Sequence, residues 1–251
     1  MKTNHPSCNK LWMSCALAFC LALPAAAQES ALPAAAQEVA VPAELEQQVT
    51  TATQVFDSII KIDLTPQKRA LLEQALKDAH GFAVFPNIQK MGAGISTIQG
   101  AGVLAYRERD GEWSPPIPLL VQGTSTGPHF GVSIYDTLVV IKTPAAIERI
   151  LSGQQRLQGM EATGPMQQAV SPERDIVAYT RNRGLSAGLS QDDIHVGLNQ
   201  QAIAALYGRT VEPREILSGQ KLGLRRPPCA QKFIEGANSL AGKSANTTYW
   251  K

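Results

Sequence analysis

The sequence predicts an α+β fold: a strongly curved antiparallel β-sheet, barrel- or sandwich-like, with an N-terminal helical pair and short flanking helices. Three observations predict it. Apolar residues recur at steps of three and four through residues 45–79, which is the period of a helix that buries one face. A dense series of short apolar runs follows over residues 81–142, separated by turn residues. Glycines interrupt those runs, five of them within residues 81–104, where a flat strand would be weakened by them.

The first helix rests on Leu45, Val49, Ala52, Phe56 and Ile59, with Val55 and Ile60 widening the stripe. A second begins at Thr65 as N-cap with Pro66 in the first turn, carries Leu71, Leu72, Ala75, Leu76 and Ala79 on one face, and stops at Gly81. Strands are expected at residues 81–85, 94–99, 102–107, 117–122, 129–135 and 138–142, with Asp110-Gly111 as a hairpin-type turn. Thr143 caps a short helix that opens on Pro144 and ends at Gly153. Residues 154–172 read as irregular. Strands resume at 175–180 and 185–190, a helix spans 200–207 before Gly208, and 228–240 makes a last helix.

The glycines Gly92, Gly94, Gly100, Gly102, Gly123 and Gly127 admit two explanations: a sheet bent tightly on itself, or a backbone that approaches a ligand. Dinucleotide and phosphate-loop versions of the ligand answer fail on spacing. Thr97 stands where the third glycine of Gly-x-Gly-x-x-Gly belongs, and Gly236 is one position off from Gly242-Lys-Ser244, in a polar tail rather than between strand and helix.

Residues 1–27 have the layout of a secretory signal peptide: Lys2 and Lys10, an apolar stretch over 11–23, then Pro24 and three alanines. Cleavage is expected after Ala27, and because the segment 22–29 recurs at 31–38, Ala36 offers a second site. Phe19 before Cys20 opposes a lipid-modified cysteine, because that position is normally small. The protein is therefore expected in the periplasm or outside the cell. Residues 28–42 are an Ala/Pro/Gln-rich linker, 43–241 form a single domain with a C-terminal helical extension, and 242–251 are a polar tail.

Loss of the leader leaves 21 basic and 21 acidic residues, so bulk charge offers no attraction to nucleic acid. It also leaves Cys229 as the last cysteine, with no partner for an intramolecular disulfide. Catalytic patterns are thin. Gly123-Thr-Ser-Thr-Gly127 spells a hydrolase elbow, with Asp175 and His195 following in order, but Pro128, Gly131 and the alternation of Phe130, Val132 and Ile134 predict a further strand where an elbow needs a helix. No catalytic residue is assigned. His80, His129 and His195 lack companions at ligand spacing, and Asp192-Asp193-Ile-His195 reads as a hydrated turn, so neither a metal nor a cofactor is expected.

Several segments, in order, resemble one family. Gly81-Phe-Ala-Val-Phe-Pro-Asn87, Gly100-Ala-Gly-Val-Leu104 and Gly111-Glu-Trp-Ser-Pro-Pro116 come first, followed by Ile150-Leu-Ser-Gly153. The segment from Ile176 to Ser190 and the stretch Asn199-Gln-Gln-Ala-Ile-Ala-Ala-Leu-Tyr-Gly208 complete the set. Together they resemble the SYLF domain, a lipid-binding family of bacterial envelope proteins and eukaryotic trafficking and actin-patch proteins. The resemblance implies non-enzymatic binding of phospholipid or acyl chains, which the leader would put at a bacterial cell envelope, with a membrane surface as partner; an envelope protein is the partner if the domain is purely structural. Arg181 and Arg183, two apart on a strand, leave the same face and suit a phosphate head group. Lys90, Arg107 and Arg109 join them if the sheet edges converge. A Ser125 hydrolase and a purely structural envelope protein remain the alternatives.

Overall fold

The computed structural model describes residues 41–61, 66–153, 156–157, 167–170, 175–183, 185–188 and 191–242. The leader, most of the linker, the Thr65 cap and the tail beyond 242 lie outside the described residues. The expected helical pair is present as α1 (Ala43–Lys61) and α2 (Pro66–Lys77). On α1 the buried set is Leu45, Val49, Ala52, Val55, Phe56, Ile59 and Ile60, the same stripe that the spacing predicts.

The sheet is built on two long strands, β1 (Gly81–Tyr106) and β2 (Ile117–Ile141), paired antiparallel along their length. The six short strands expected over this region are corrected to these two. Residues that read as chain breaks act instead as irregularities within a continuous ladder. Pro86 and Asn87 make a register shift between Phe85 and Ile88, and the extra residues 127–129 of β2, opposite Gly94, make another between Ala93 and Ile95. Asn87 has φ 56°, in the left-handed region that asparagine tolerates.

β2 is the hub. Its first edge pairs with β1, and its second receives β7 (Gln191–Leu198), β6 (Leu185–Gly188) and β5 (Ile176–Asn182) in succession along its length. The short β3 (Arg156–Leu157) pairs with β7 and β4 (Gln167–Val170) with β5. All these pairings are antiparallel, and the strand path β3-β7-β2-β5-β4 is open. β7 corrects a second expectation: Asp192 to His195 are strand, not a hydrated turn, because β2 offers them a full partner edge.

The curvature is severe. The Arg107 N–H donates to the His80 carbonyl at 2.7 Å, although an extended strand would hold residues that far apart by roughly 90 Å. Residues 81–88 thus return against residues 100–107. The return decides why Gly102 is glycine: a Cβ there would lie 2.5 Å from the Val84 carbonyl oxygen and 2.3 Å from the Phe85 ring. Of the two readings of the glycines, close approach of the sheet's own backbone is the one that this geometry meets.

Helices close the open side of the core. α3 (Pro144–Leu151) is capped by the Thr143 side chain, which accepts from the Ala146 N–H. α4 (Gln200–Tyr207) is capped by Asn199 and stopped by left-handed Gly208. α5 (Pro213–Leu217), which the periodicity does not reveal because it is barely one turn, starts on a capping box of Glu212 and Glu215. α6 (Pro228–Ala241) packs beside α1 and delivers Phe233 to an aromatic centre. There Phe82 stacks on Phe56 at 4.6 Å and meets Trp113 edge-on at 4.8 Å. Cys229, at the start of α6, is buried, and burial raises its thiol pKa, so it is an inert packing residue.

Candidate functional site

Asp136 interrupts the apolar end of β2 and is fully buried, so its charge requires partners. Three donors converge on it. Arg181 Nη2 lies 2.6 Å from one carboxylate oxygen, Arg183 Nη2 lies 2.7 Å from the other, and the Asn87 backbone N–H donates to it at 3.1 Å. The sheet register supplies this convergence. Arg181 sits directly opposite Asp136 in the β2–β5 ladder, and the Arg183 N–H donates to the Ile134 carbonyl one step beyond. The bulge at Pro86 and Asn87 turns the Asn87 amide toward the carboxylate and brings its side-chain oxygen to Arg183.

The two guanidinium groups line an open cleft of about 300 Å³, completed by Asn87, Asp136 and the α1 residues Thr51, Gln54, Val55 and Ser58. Two arginines against one carboxylate give the cleft a net charge of +1. Arg183 is about half exposed and Arg181 about a quarter. Each guanidinium has five N–H donors, more than Asp136 and Asn87 take up. The arrangement can hold an anion by paired hydrogen bonds. Among its described lining residues the one carboxylate, Asp136, is taken up by the two guanidinium groups.

The other cations expected at this site are placed elsewhere. Lys90 is fully buried and ion-paired with Asp192 at 2.8 Å. Arg107 is fully buried and donates to the carbonyls of Leu76, Lys77, Ala79, Gly111, Ala241 and Gly242, with its guanidinium 4.0 Å from the centre of the Trp113 ring. It ties the C-terminal ends of α2 and α6 to the turn between β1 and β2. Arg109 donates to the Ser218 carbonyl. Of the five, the sheet brings together Arg181 and Arg183.

The hydrolase constellation does not assemble. Ser125 lies inside the continuous β2 and is buried, with no hydrogen-bond partner for its hydroxyl among the described residues. Asp175 is held by Arg149 at 2.6 Å, and His195, whose ring is half exposed, faces Asp193 at 3.9 Å. A carboxylate group that the sequence reading missed, Glu108, Asp110 and Glu112, is close enough to bind a cation. The cation there is the chain's own: Lys221 Nζ lies 2.8 Å from Asp110, 3.1 Å from Glu112 and 4.0 Å from Glu108. Sequence reasoning also missed Asp136 and Asn87. The signal for Asp136 was an acid inside an otherwise apolar run, which must be paired if that run is a buried strand.

Residues 122–240 match a family model described as "Ysc84: Las17-binding protein actin regulator", in agreement with the SYLF resemblance. The chain is similar to "LAS seventeen-binding protein 3" of Saccharomyces cerevisiae, 24% identical over 209 residues, covering 78% of this chain and 45% of that protein. It is similar to "Protein YSC84" of the same yeast, 24% identical over 78% of this chain and 44% of that protein. "SH3 domain-containing YSC84-like protein 1" of Homo sapiens is 24% identical over 67% of this chain and 51% of its own length. The chain thus spans about half the length of the curated relatives it matches. No solved structure matches it.

Proposed function

We propose, starting from the match of residues 122–240 to the Ysc84 family model, that this protein is a non-enzymatic binder of anionic phospholipid surfaces acting at a bacterial cell envelope. The observation that carries the reading is the pair Arg181 and Arg183, gathered on one buried carboxylate at the mouth of a cleft with a net positive charge. A phosphate head group is the chemistry that such a pair recognises, because planar guanidinium groups match its oxygens two at a time. The signal-like segment at residues 1–27 is what supports the envelope rather than the cytosol.

A second reading takes a protein as partner, and the description of the family model as Las17-binding favours it. Co-sedimentation with vesicles separates the two. Vesicles of phosphatidylglycerol in phosphatidylcholine should bind the protein at low salt, and phosphatidylcholine alone should bind it more weakly. A basic charge near an anionic surface contributes about 1 kcal/mol, so removing the cleft's net single positive charge weakens binding by about 1 kcal/mol, roughly fivefold. Because Arg181→Gln and Arg183→Gln alone strand the buried Asp136, the triple change with Asp136→Asn is the matched folded variant. Binding to anionic and neutral vesicles alike, or to neither, would refute the head-group reading.

A further inference from the structure

The bent half of the β1–β2 ribbon is inside-out. Its inner face buries Lys90, Ser96, Ser125, Ser133 and, from β7, Asp192. Its outer face exposes Met91, Ile95, Phe130 and Val132, with Ile95 72% and Phe130 76% accessible. The register makes them one patch: Met91 lies opposite Val132, Ala93 opposite Phe130, and Ile95 pairs with Thr126. Four exposed large apolar side chains clustered at one place are not the scattered singles that any surface carries. Polar inside and apolar outside is the alternation of strands that face lipid.

We infer that this patch is a membrane-insertion surface, which seats in the boundary between head groups and acyl chains of an anionic bilayer. The inference rests on the membrane-surface reading above and names how that surface is engaged. The choice of lipid over another protein comes from what continues the same face. Phe130, Val132, Ile134 and Asp136 alternate along β2 and so share one side of it, and Asp136 carries Arg181 and Arg183. Val132 and Asp136 are four residues apart, about 13 Å along the strand. A face that runs from exposed apolar side chains to paired guanidinium groups over that distance has the polarity profile of a bilayer interface, acyl region first and phosphate next.

The bend itself suits the role. Gly92 at φ 157°, Gly94 at φ 73° and Gly131 at φ 128° concentrate where the ribbon turns, and a Cβ on Gly92 would lie 2.3 Å from the Ile95 carbonyl oxygen. That contact fixes the backbone that presents Ile95. The patch is far shorter than the roughly 9–11-residue strands that cross a bilayer. No helix among the described residues is long and apolar enough to cross one. The protein would lie on the membrane and dip this face into it.

The test uses the full chain with vesicles of phosphatidylglycerol and phosphatidylcholine. Phe130→Trp should show emission quenched by brominated acyl chains beyond the background of the wild-type tryptophans. The double variant Ile95→Ser with Phe130→Ser should partition about 100-fold more weakly, at about tenfold per large apolar side chain, with an unchanged melting temperature. Bound but unquenched Phe130→Trp overturns this inference and leaves the head-group reading standing. Loss of binding in the serine variant with none in the arginine variant overturns the head-group reading alone. Absence of vesicle binding in the wild type overturns both. A self-associated form in sedimentation equilibrium that the serine variant abolishes would assign the patch to a second copy of the chain instead.

Discussion

Replacing Arg107 with Met should unfold this protein far more readily while leaving vesicle binding by the folded fraction unchanged. Arg107 is fully buried, and four of its six carbonyl contacts are 3.2 Å or shorter. Most of those carbonyls end α2 and α6, where the last turn of a helix has acceptors without intrahelical partners. Each helix end carries roughly half a negative charge, so two of them match one guanidinium. Losing four hydrogen bonds from a charged donor costs about 1 kcal/mol each at the low end, the Gly242 and Leu76 carbonyls keeping their bonds from the Trp113 indole and the Ala79 N–H, and the lost contact with the Trp113 ring adds about 1 kcal/mol. The expected loss is about 5 kcal/mol. At a urea dependence of about 2 kcal/mol per molar, the midpoint falls by about 2.5 M, read by Trp113 fluorescence. Arg107→Lys should recover little, because an ammonium is one point and cannot reach two helix ends. A loss under about 1 kcal/mol, or a selective loss of vesicle binding, would refute the structural role and restore Arg107 to the lipid site.

Three further outcomes are expected. Burial pushes the Glu108 carboxyl, one oxygen of which accepts no hydrogen bond among the described residues, up from an ordinary 4.5 to about 7, with Lys221 partly opposing the shift. Between those values the folded protein keeps a proton that the unfolded chain has released, so stability falls as pH rises from about 4.5 to 7, by about 3 kcal/mol at most. Glu108→Gln should flatten that dependence in urea titrations at a series of pH values, and an unchanged slope would count against it. Lys90→Met should cost about 3–5 kcal/mol by leaving Asp192 charged and buried, and adding Asp192→Leu should recover most of it in thermal melts; equal losses in both variants would show that the pair is not coupled. Ser125→Ala should raise stability by up to about 1 kcal/mol, since it removes a buried hydroxyl with no partner among the described residues, whereas a drop of that size would mean that the hydroxyl is bonded.

The helices were legible because their signals are local. The α1 stripe, the Thr143 cap and the Gly208 stop depend on residues within one or two turns, and each lies where the sequence reading puts it. The strands were legible as β-structure but not as elements. Pro86, Asn87 and the glycines end a strand in isolation, yet within a ladder that is paired on the far side they only shift its register. β7 was unreadable for a similar reason: Asp192-Asp193-Ile-His195 has turn composition, and an edge of β2 with Lys90 beneath it is what makes it a strand.

By itself, the sequence determined the fold class, the helical pair, the placing of Arg181 and Arg183 on one face and the family resemblance. The first three follow from spacing and the resemblance from the spelling of ordered segments, and both are written along the chain. Only the tertiary structure decided what each charge does. Lys90, Arg107, Arg109, Arg181 and Arg183 look alike as letters, but one neutralises a buried carboxylate, one staples two helix ends, one holds a carbonyl beside α5, and two line an open cleft. Their surroundings come from residues tens to more than a hundred positions away, brought near by a sheet that folds back on itself, and a charge takes its role from what surrounds it in space.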